Sequence, residues 1–139
     1  MVFTRPITGK RLLGTAGRHT VVTDRKTADG GTDTGPTSSE LLLLALASCA
    51  TGSIRNSLVQ RNLAADDIRV DVEWTPPKTA GARDGVLITV SLPPPVLAAG
   101  SEPILAAATR GAVVSRVRLG SDVEVRLQPL DAVVCQPSS

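Results

Sequence analysis

The chain has 139 residues, of which 42% are hydrophobic and 20% charged, as expected for one soluble globular domain with a real core. Aromatic residues make up only 1% of the chain, so the core must be aliphatic. Single-stranded nucleic-acid binding relies on stacking on aromatic side chains. The formal net charge is +2 and the arginines are scattered, so we expect no nucleic-acid partner.

The N-terminus has no apolar segment of the signal-peptide type. The longest apolar run, residues 41–47, is far shorter than the roughly 20 residues that span a bilayer. We therefore expect a cytoplasmic protein without a membrane partner. In that compartment Cys49 and Cys135 should not form a structural disulfide, and any bond between them would be redox-active.

The first third of the chain reads as short strands and turns. Gly9, Gly14 and Gly17 are predicted to mark short connections, and residues 18–24 alternate as in a strand. Residues 28–36 are rich in glycine, aspartate and threonine and predict a turn-rich loop.

A long helix follows this loop. Thr37 and Glu40 have the spacing of a capping box, and residues 41–62 contain no helix breaker except Gly52. Residues 41–50 are apolar on every side, which predicts a segment that is buried all round.

The second half of the chain alternates strands with a shorter helix. Residues 68–74 and 86–92 each alternate apolar and polar positions and predict a hairpin, which the prolines at 93–95 end. Ser101, Glu102 and Pro103 mark the start of a second helix through Ala108, and residues 122–127 predict a last strand.

This order of elements predicts a single α+β domain, residues 1–139, with a mainly antiparallel sheet, a long buried central helix and a second helix. One sheet cannot readily bury a helix that is apolar on all sides. We therefore expect an intertwined homodimer with residues 41–50 near the interface.

Cys49 lies on the apolar helix, and the residues alone leave two interpretations open: a small inert core residue, or a nucleophile toward peroxide. A nucleophilic thiol needs thiolate character and therefore a nearby cation. Glu40 precedes Cys49 by nine residues, which is about 13 Å along a straight helix and on the opposite side. Glu40 could therefore serve the site of a partner subunit rather than its own.

No metal or cofactor is expected. His19 is the only histidine, and one histidine with two distant cysteines does not make a zinc site. Asp29 and Asp33 suggest a calcium or phosphate loop only faintly, and an ordinary turn is the better interpretation. The sequence has no EF-hand spacing, P-loop or dinucleotide fingerprint.

The segments GGTDTGP at residues 30–36, ELLL at 40–43 and ASC at 47–49, with IRVDVEW at 68–74, resemble the osmotically inducible protein C (OsmC) family, which is related to the organic hydroperoxide resistance proteins. The resemblance implies an interwoven α+β homodimer with two sites at the subunit interface. It also implies a thiol-dependent reductase of organic hydroperoxides, in which a cysteine thiolate is oxidised to sulfenic acid and a second cysteine resolves it.

By this resemblance Cys49 takes the position of the peroxidatic cysteine. The second cysteine of the family belongs to a Cys-Pro-Val motif, and the best alignment puts Ala112 in its place. Three routes stay open: Cys49 works with an external thiol reductant, Cys135 resolves it from the tail, or the protein keeps the fold and a ligand pocket without peroxidase activity.

The family activates its thiolate with an arginine from the N-terminal strands and a glutamate at the helix start. Glu40 matches the glutamate of some branches, whereas the hydroperoxide resistance branch carries it one position earlier, here Ser39. Arg18 and Arg25 both lie near the expected arginine.

The sequence therefore predicts an OsmC-type peroxidase in oxidative-stress defence, with Cys49 as the redox residue and weak or one-cysteine activity. The alternative is a non-catalytic protein of the same fold that binds a small hydrophobic ligand at the dimer interface.

Overall fold

A computed structural model describes residues 1–81, 84–111 and 123–130. The chain divides into two compact units, residues 1–44 and 45–139. Each unit has a three-stranded sheet of its own. The expectation of a single domain over residues 1–139 stays a prediction.

The first unit is a meander of three antiparallel strands in the order β1-β2-β3. They are β1 (Val2–Pro6), β2 (Leu12–Ala16) and β3 (His19–Thr23). Gly9 and Gly17 lie in the two turns with φ of 59° and 61°, a conformation that glycine adopts without steric cost. Gly14, predicted as part of a connection, instead lies inside β2, because the ladder with β1 and β3 runs through it.

The second unit contains β4 (Arg69–Thr75), β5 (Gly85–Leu92) and β6 (Val123–Pro129), in the order β4-β5-β6. The predicted hairpin is confirmed, since β4 and β5 pair antiparallel with Val70 opposite Val90 and Trp74 opposite Val86. Strand β6 pairs with β5 in parallel, so three of the four strand pairings in the described residues are antiparallel. The α+β class with mainly antiparallel pairing is confirmed.

Strand β5 is the centre of the second sheet and is buried on both faces. Ile88, Val90 and Leu92 are completely buried, but Leu87 and Ser91 on the opposite face are buried as well. The Ser91 hydroxyl is satisfied there, because it accepts a 2.9 Å hydrogen bond from the side-chain amide of Gln128 on β6. Alternation of apolar and polar residues in β5 therefore did not mark a face exposed to solvent.

Two short helices follow β5. The prolines at 93–95 do end the strand, and Pro94 then begins α2 (Pro94–Ala98), which was not predicted. Proline is well tolerated in the first turn of a helix, where its missing N–H has no partner to lose. The predicted second helix is α3 (Glu102–Gly111), which buries Ile104, Ala107 and Ala108.

The long helix α1 extends over Ser38–Val59, close to the predicted range. It ends in a Schellman turn: the N–H of Leu63 donates to the carbonyl of Leu58 and the N–H of Asn62 to that of Val59, both at 3.0 Å. Asn62 adopts the left-handed conformation that this motif requires, with φ of 56°.

The burial of α1 differs from the prediction. Only one stripe, with a spacing of four residues, is buried: Leu46, Ala50, Ile54 and Leu58. Leu42 and Leu44, predicted to be buried, are 36% and 60% exposed, because one chain covers a single face of the helix.

By length and composition alone, α1 could cross a membrane, and no other helix in the described residues passes that test. A core helix of a soluble protein passes it too, so the finding is weak evidence for a membrane span. The buried stripe fits a core helix.

Leu58 and Val59 are adjacent on α1 but differ in burial, the first at 0% exposure and the second at 53%. We expect Leu58→Ala to lower the free energy of unfolding by about 2–5 kcal/mol, because it leaves a cavity in the core. Val59→Ala should change it by less than about 1 kcal/mol. Urea denaturation of both variants measures the difference, and equal losses would contradict the assignment of the core stripe.

Candidate functional site

A buried aspartate organises the loop between β3 and α1. Asp24 is only 4% exposed, and its carboxylate accepts five hydrogen bonds. Oδ1 accepts from the backbone N–H of Arg25 at 2.8 Å. Oδ2 accepts from the N–H and hydroxyl of Thr32 at 3.0 and 2.6 Å, and from those of Thr34 at 3.3 and 3.1 Å. The Asp24 carboxylate therefore accepts hydrogen bonds, in place of water, from residues that lie eight and ten positions later in the chain.

These donors stabilise the charged form of Asp24. The hydrogen bond from the Thr32 side chain is the largest contribution, and together with the backbone N–H groups it holds the pKa of Asp24 far below its usual range, against the opposing effect of burial. The charge is therefore retained at any pH at which the protein is expected to work.

Two glycines of the loop are required by close backbone approach. A Cβ at Gly31 would overlap the carbonyl of Arg25, and a Cβ at Gly35 would overlap the carbonyl of Val22. The two ends of the loop are also hydrogen-bonded at Arg25, since the N–H of Asp33 donates to the Arg25 carbonyl at 3.1 Å. The glycines of the GGTDTGP segment thus have a steric function.

The predicted capping box is present at the start of α1. The N–H of Glu40 donates to Thr37 Oγ1 at 3.2 Å, and the N–H of Thr37 donates to Glu40 Oε2 at 2.7 Å. The other oxygen of Glu40 pairs with Lys26 Nζ at 3.2 Å, and Lys26 also contacts Asp33 Oδ1 at 3.1 Å. Lys26 therefore ties the loop to the first turn of the helix.

The charges of this cluster reinforce one another. The N–H of Thr37 and the Lys26 ammonium lower the pKa of Glu40, and the carboxylates of Asp33 and Glu40 raise the pKa of Lys26. Both oxygens of Glu40 are occupied within the first unit, one by the helix cap and one by Lys26. The sequence did not single out Lys26.

The two candidate arginines lie beyond opposite ends of β3. Arg18 is in the turn before the strand and Arg25 follows it, and both side chains are exposed. Neither forms an ion pair with a carboxylate in residues 1–81, 84–111 and 123–130, so the cation that contacts Glu40 here is Lys26. A catalytic role of Arg18 or Arg25 stays a prediction.

Cys49 is a free, half-buried thiol on α1, within the second unit. The helix next to it is open, because a Cβ added at Gly52 would meet no atom within 4 Å. Its partial exposure allows a small reagent to approach. Glu40, the predicted activating carboxylate, belongs to the first unit, whereas Cys49 belongs to the second. Cys135, the candidate resolving residue, and Ala112 lie outside the described residues.

No metal site is found in the described residues, where no three His, Cys, Asp or Glu side chains cluster. Asp33 pairs with Lys26, and Asp29 ends the short 3₁₀ helix Thr27–Asp29. His19 is exposed on β3.

Two cavities adjoin each other in the first unit. One has a volume of about 430 Å³ and is polar, with Lys10, Arg25 and Ser39 in its wall. The other has about 360 Å³ and lies on one face of the sheet, with Val2, Ala16 and Val21 in its wall. Leu12, Thr23 and Ser38 line both.

The α+β architecture with this glycine-rich loop, capped helix and helical cysteine defines the class of protein. The family model of OsmC-like proteins matches residues 31–128. The chain belongs to the OsmC-like protein family.

Solved structures share the fold. A candidate osmotic stress induced and detoxification response protein from Psychrobacter arcticus is 14% identical, with a TM-score of 0.71 over 91% of this chain and 94% of that chain. The OsmC like protein from Mycoplasma pneumoniae is 9% identical, with a TM-score of 0.69 over 94% and 96%. The organic hydroperoxide resistance protein OhrB of Bacillus subtilis is 20% identical, with a TM-score of 0.61 over 92% and 96%. Among curated proteins, none matches this sequence.

The hydrogen bonds to Asp24 predict how the protein responds to acid. Because the pKa of Asp24 is lowered by folding, its contribution to stability is complete above its ordinary pKa of about 4 and is lost as pH falls below it. We expect Asp24→Asn to be less stable than the wild type at pH 7, with a flatter loss of stability between about pH 4 and pH 2.

Melting temperatures measured from pH 7 to pH 2 test this, with Asp67→Asn as the control, since Asp67 is an exposed aspartate outside this loop. An acid response of Asp24→Asn as steep as that of the wild type would show that Asp24 does not carry the effect.

Proposed function

We propose that the protein is a thiol-dependent peroxidase that reduces organic hydroperoxides, with Cys49 as the peroxidatic residue. One observation carries the proposal: the family match includes the glycine-rich loop, the capped helix start and a Cys49 that is free and partly accessible. Relatives of the same fold include an organic hydroperoxide resistance protein. A stress-related role in hydroperoxide resistance, in the cytoplasm, follows from this assignment.

In the proposed reaction the Cys49 thiolate attacks one oxygen of the hydroperoxide. An S–O bond forms and the O–O bond breaks, so that the sulfur is oxidised to sulfenic acid and the hydroperoxide is reduced to an alcohol. The leaving alkoxide takes up the proton that completes the alcohol. Two equivalents of thiol then return Cys49 to its reduced form, through a mixed disulfide and with release of water.

Glu40 and an arginine, Arg18 or Arg25, are the proposed activating groups. Glu40 is held ionised by its cap and by Lys26, so it is a fixed negative charge that could orient a cation.

The proposed assembly is an intertwined homodimer. The exposed apolar side chains Phe3, Leu42 and Leu44 favour coverage by a second copy, since a single chain leaves them in water.

An external thiol is the proposed reductant. Because Ala112 takes the position of the family's second cysteine, the sequence offers only Cys135 as an internal alternative.

The second candidate function is non-catalytic binding of a small hydrophobic ligand. The apolar cavity on the first sheet favours that candidate.

We expect the wild type to consume cumene hydroperoxide in the presence of dithiothreitol, and Cys49→Ser to consume it at the uncatalysed rate. Cys135→Ser is the matched control, because it removes the other thiol of the chain. If an external thiol is the reductant, Cys135→Ser retains the wild-type rate. Equal consumption by the wild type and Cys49→Ser would refute the peroxidase proposal and leave the binding function.

A further inference from the structure

Glu40, the proposed activating carboxylate, is held by two different donors. Its Oε2 accepts the backbone N–H of Thr37 at 2.7 Å, and its Oε1 lies 3.2 Å from Lys26 Nζ. The N–H of Thr37 belongs to the helix cap and fixes only one of the two oxygens. The direction of the other oxygen therefore depends on Lys26, which is the one cation paired with Glu40 in the part of the chain that the structure describes.

Lys26 is itself held in place by the loop. A lysine side chain has a flexible four-carbon stem, so a single ion pair at the surface orders it weakly. Here the ammonium also contacts Asp33 Oδ1 at 3.1 Å. Asp33 adopts the left-handed conformation, with φ of 52°, and its N–H donates to the Arg25 carbonyl at 3.1 Å. A fixed backbone position thus presents the Asp33 carboxylate to Lys26, and Lys26 in turn reaches Glu40.

The orientation of Glu40 is set within its own loop, independently of any arginine. A guanidinium binds a carboxylate most strongly through two parallel N–H···O bonds, one to each oxygen. An arginine that approaches Glu40 in this way competes for oxygens that Lys26 and the N–H of Thr37 already hold. Lys26 therefore decides which face of the carboxylate is offered to other groups.

We propose that Lys26 positions Glu40 for the proposed peroxidase reaction, and that Asp33 keeps Lys26 in place. This inference rests on the proposed function, in which Glu40 is an activating group. Lys26 acts through the Glu40 carboxylate and not on the Cys49 sulfur, so it is a positioning residue. Without its ammonium, one oxygen of Glu40 loses its fixed direction and the carboxylate charge is no longer balanced, which disfavours the thiolate that Glu40 is proposed to activate.

Steady-state consumption of cumene hydroperoxide, with dithiothreitol as the reductant, tests the inference. We expect Lys26→Gln to lower kcat/KM about three- to tenfold. Lys26→Arg should stay within about twofold of the wild type, because a guanidinium keeps the charge and can donate to both carboxylates. Lys78→Gln is the matched control: it removes a lysine from another exposed ion pair, 3.3 Å from Glu124, and should leave kcat/KM unchanged.

Two further variants show whether Lys26 acts through Glu40. In the Glu40→Gln background, Lys26→Gln should cause no further loss, because the carboxylate that it positions is gone. Asp33→Asn should lower kcat/KM about twofold, since Lys26 loses one of its two partners. The side chains of Lys26 and Glu40 are 47% and 45% exposed, so their pair adds little to stability and these variants should melt close to the wild type.

An NMR titration of the Glu40 carboxyl group gives a readout that does not depend on activity. The Thr37 N–H and the Lys26 ammonium lower the pKa of Glu40, so Lys26→Gln should raise this pKa and Lys26→Arg should not. An unchanged pKa of Glu40 in Lys26→Gln would mean that Lys26 does not hold the carboxylate, and it overturns the inference.

The kinetic outcomes separate the role of Lys26 from the peroxidase proposal. If Cys49→Ser loses activity while Lys26→Gln keeps the wild-type kcat/KM, only the role of Lys26 is wrong. It is also wrong if Lys26→Gln lowers kcat/KM as much in the Glu40→Gln background as in the wild type. If Cys49→Ser consumes the hydroperoxide as fast as the wild type does, the peroxidase proposal fails and the role of Lys26 fails with it.

Discussion

The structure of the first unit depends on one buried charge. The Asp24 carboxylate is only 4% exposed, and the N–H and hydroxyl groups of Thr32 and Thr34 donate the hydrogen bonds that it would otherwise lack. The backbone N–H of Asp24 donates to the carbonyl of Pro36 at 3.3 Å, and Pro36 immediately precedes the helix cap. The end of β3 and the start of α1 are thereby fixed to each other, and Lys26 adds a second link from the loop to Glu40.

This loop explains why the family segment has its composition. Gly31 and Gly35 are required by backbone contacts, the threonines by the buried carboxylate, and Thr37 with Glu40 by the open N-terminus of the helix. None of these functions requires redox chemistry. None of these contacts involves Cys49, whose proposed chemical role rests on the resemblance.

Local patterns in the sequence were sufficient to predict most of the secondary structure. The capping box is a contact over three residues, and the hairpin of β4 and β5 follows from alternation and a turn, so both could be predicted. The burial of α1 and the role of Asp24 could not. Burial depends on how many faces of a helix are covered, and Asp24 binds donors eight and ten residues away that no periodicity reveals. The pairing of Glu40 with Lys26 likewise depends on the path of the loop, and the assignment of Cys49 came from the resemblance alone.

If Cys49 is the peroxidatic residue, its sulfur reacts with a hydroperoxide and the sulfenic acid that forms can be trapped. Intact protein is treated with one equivalent of cumene hydroperoxide in the presence of dimedone, and the adduct is located by peptide mass spectrometry. We expect a dimedone adduct at Cys49 within the reaction time, and none at Cys135 when Cys49 is replaced by serine. If Cys49 stays unmodified after the hydroperoxide has been supplied, it is not the peroxidatic residue.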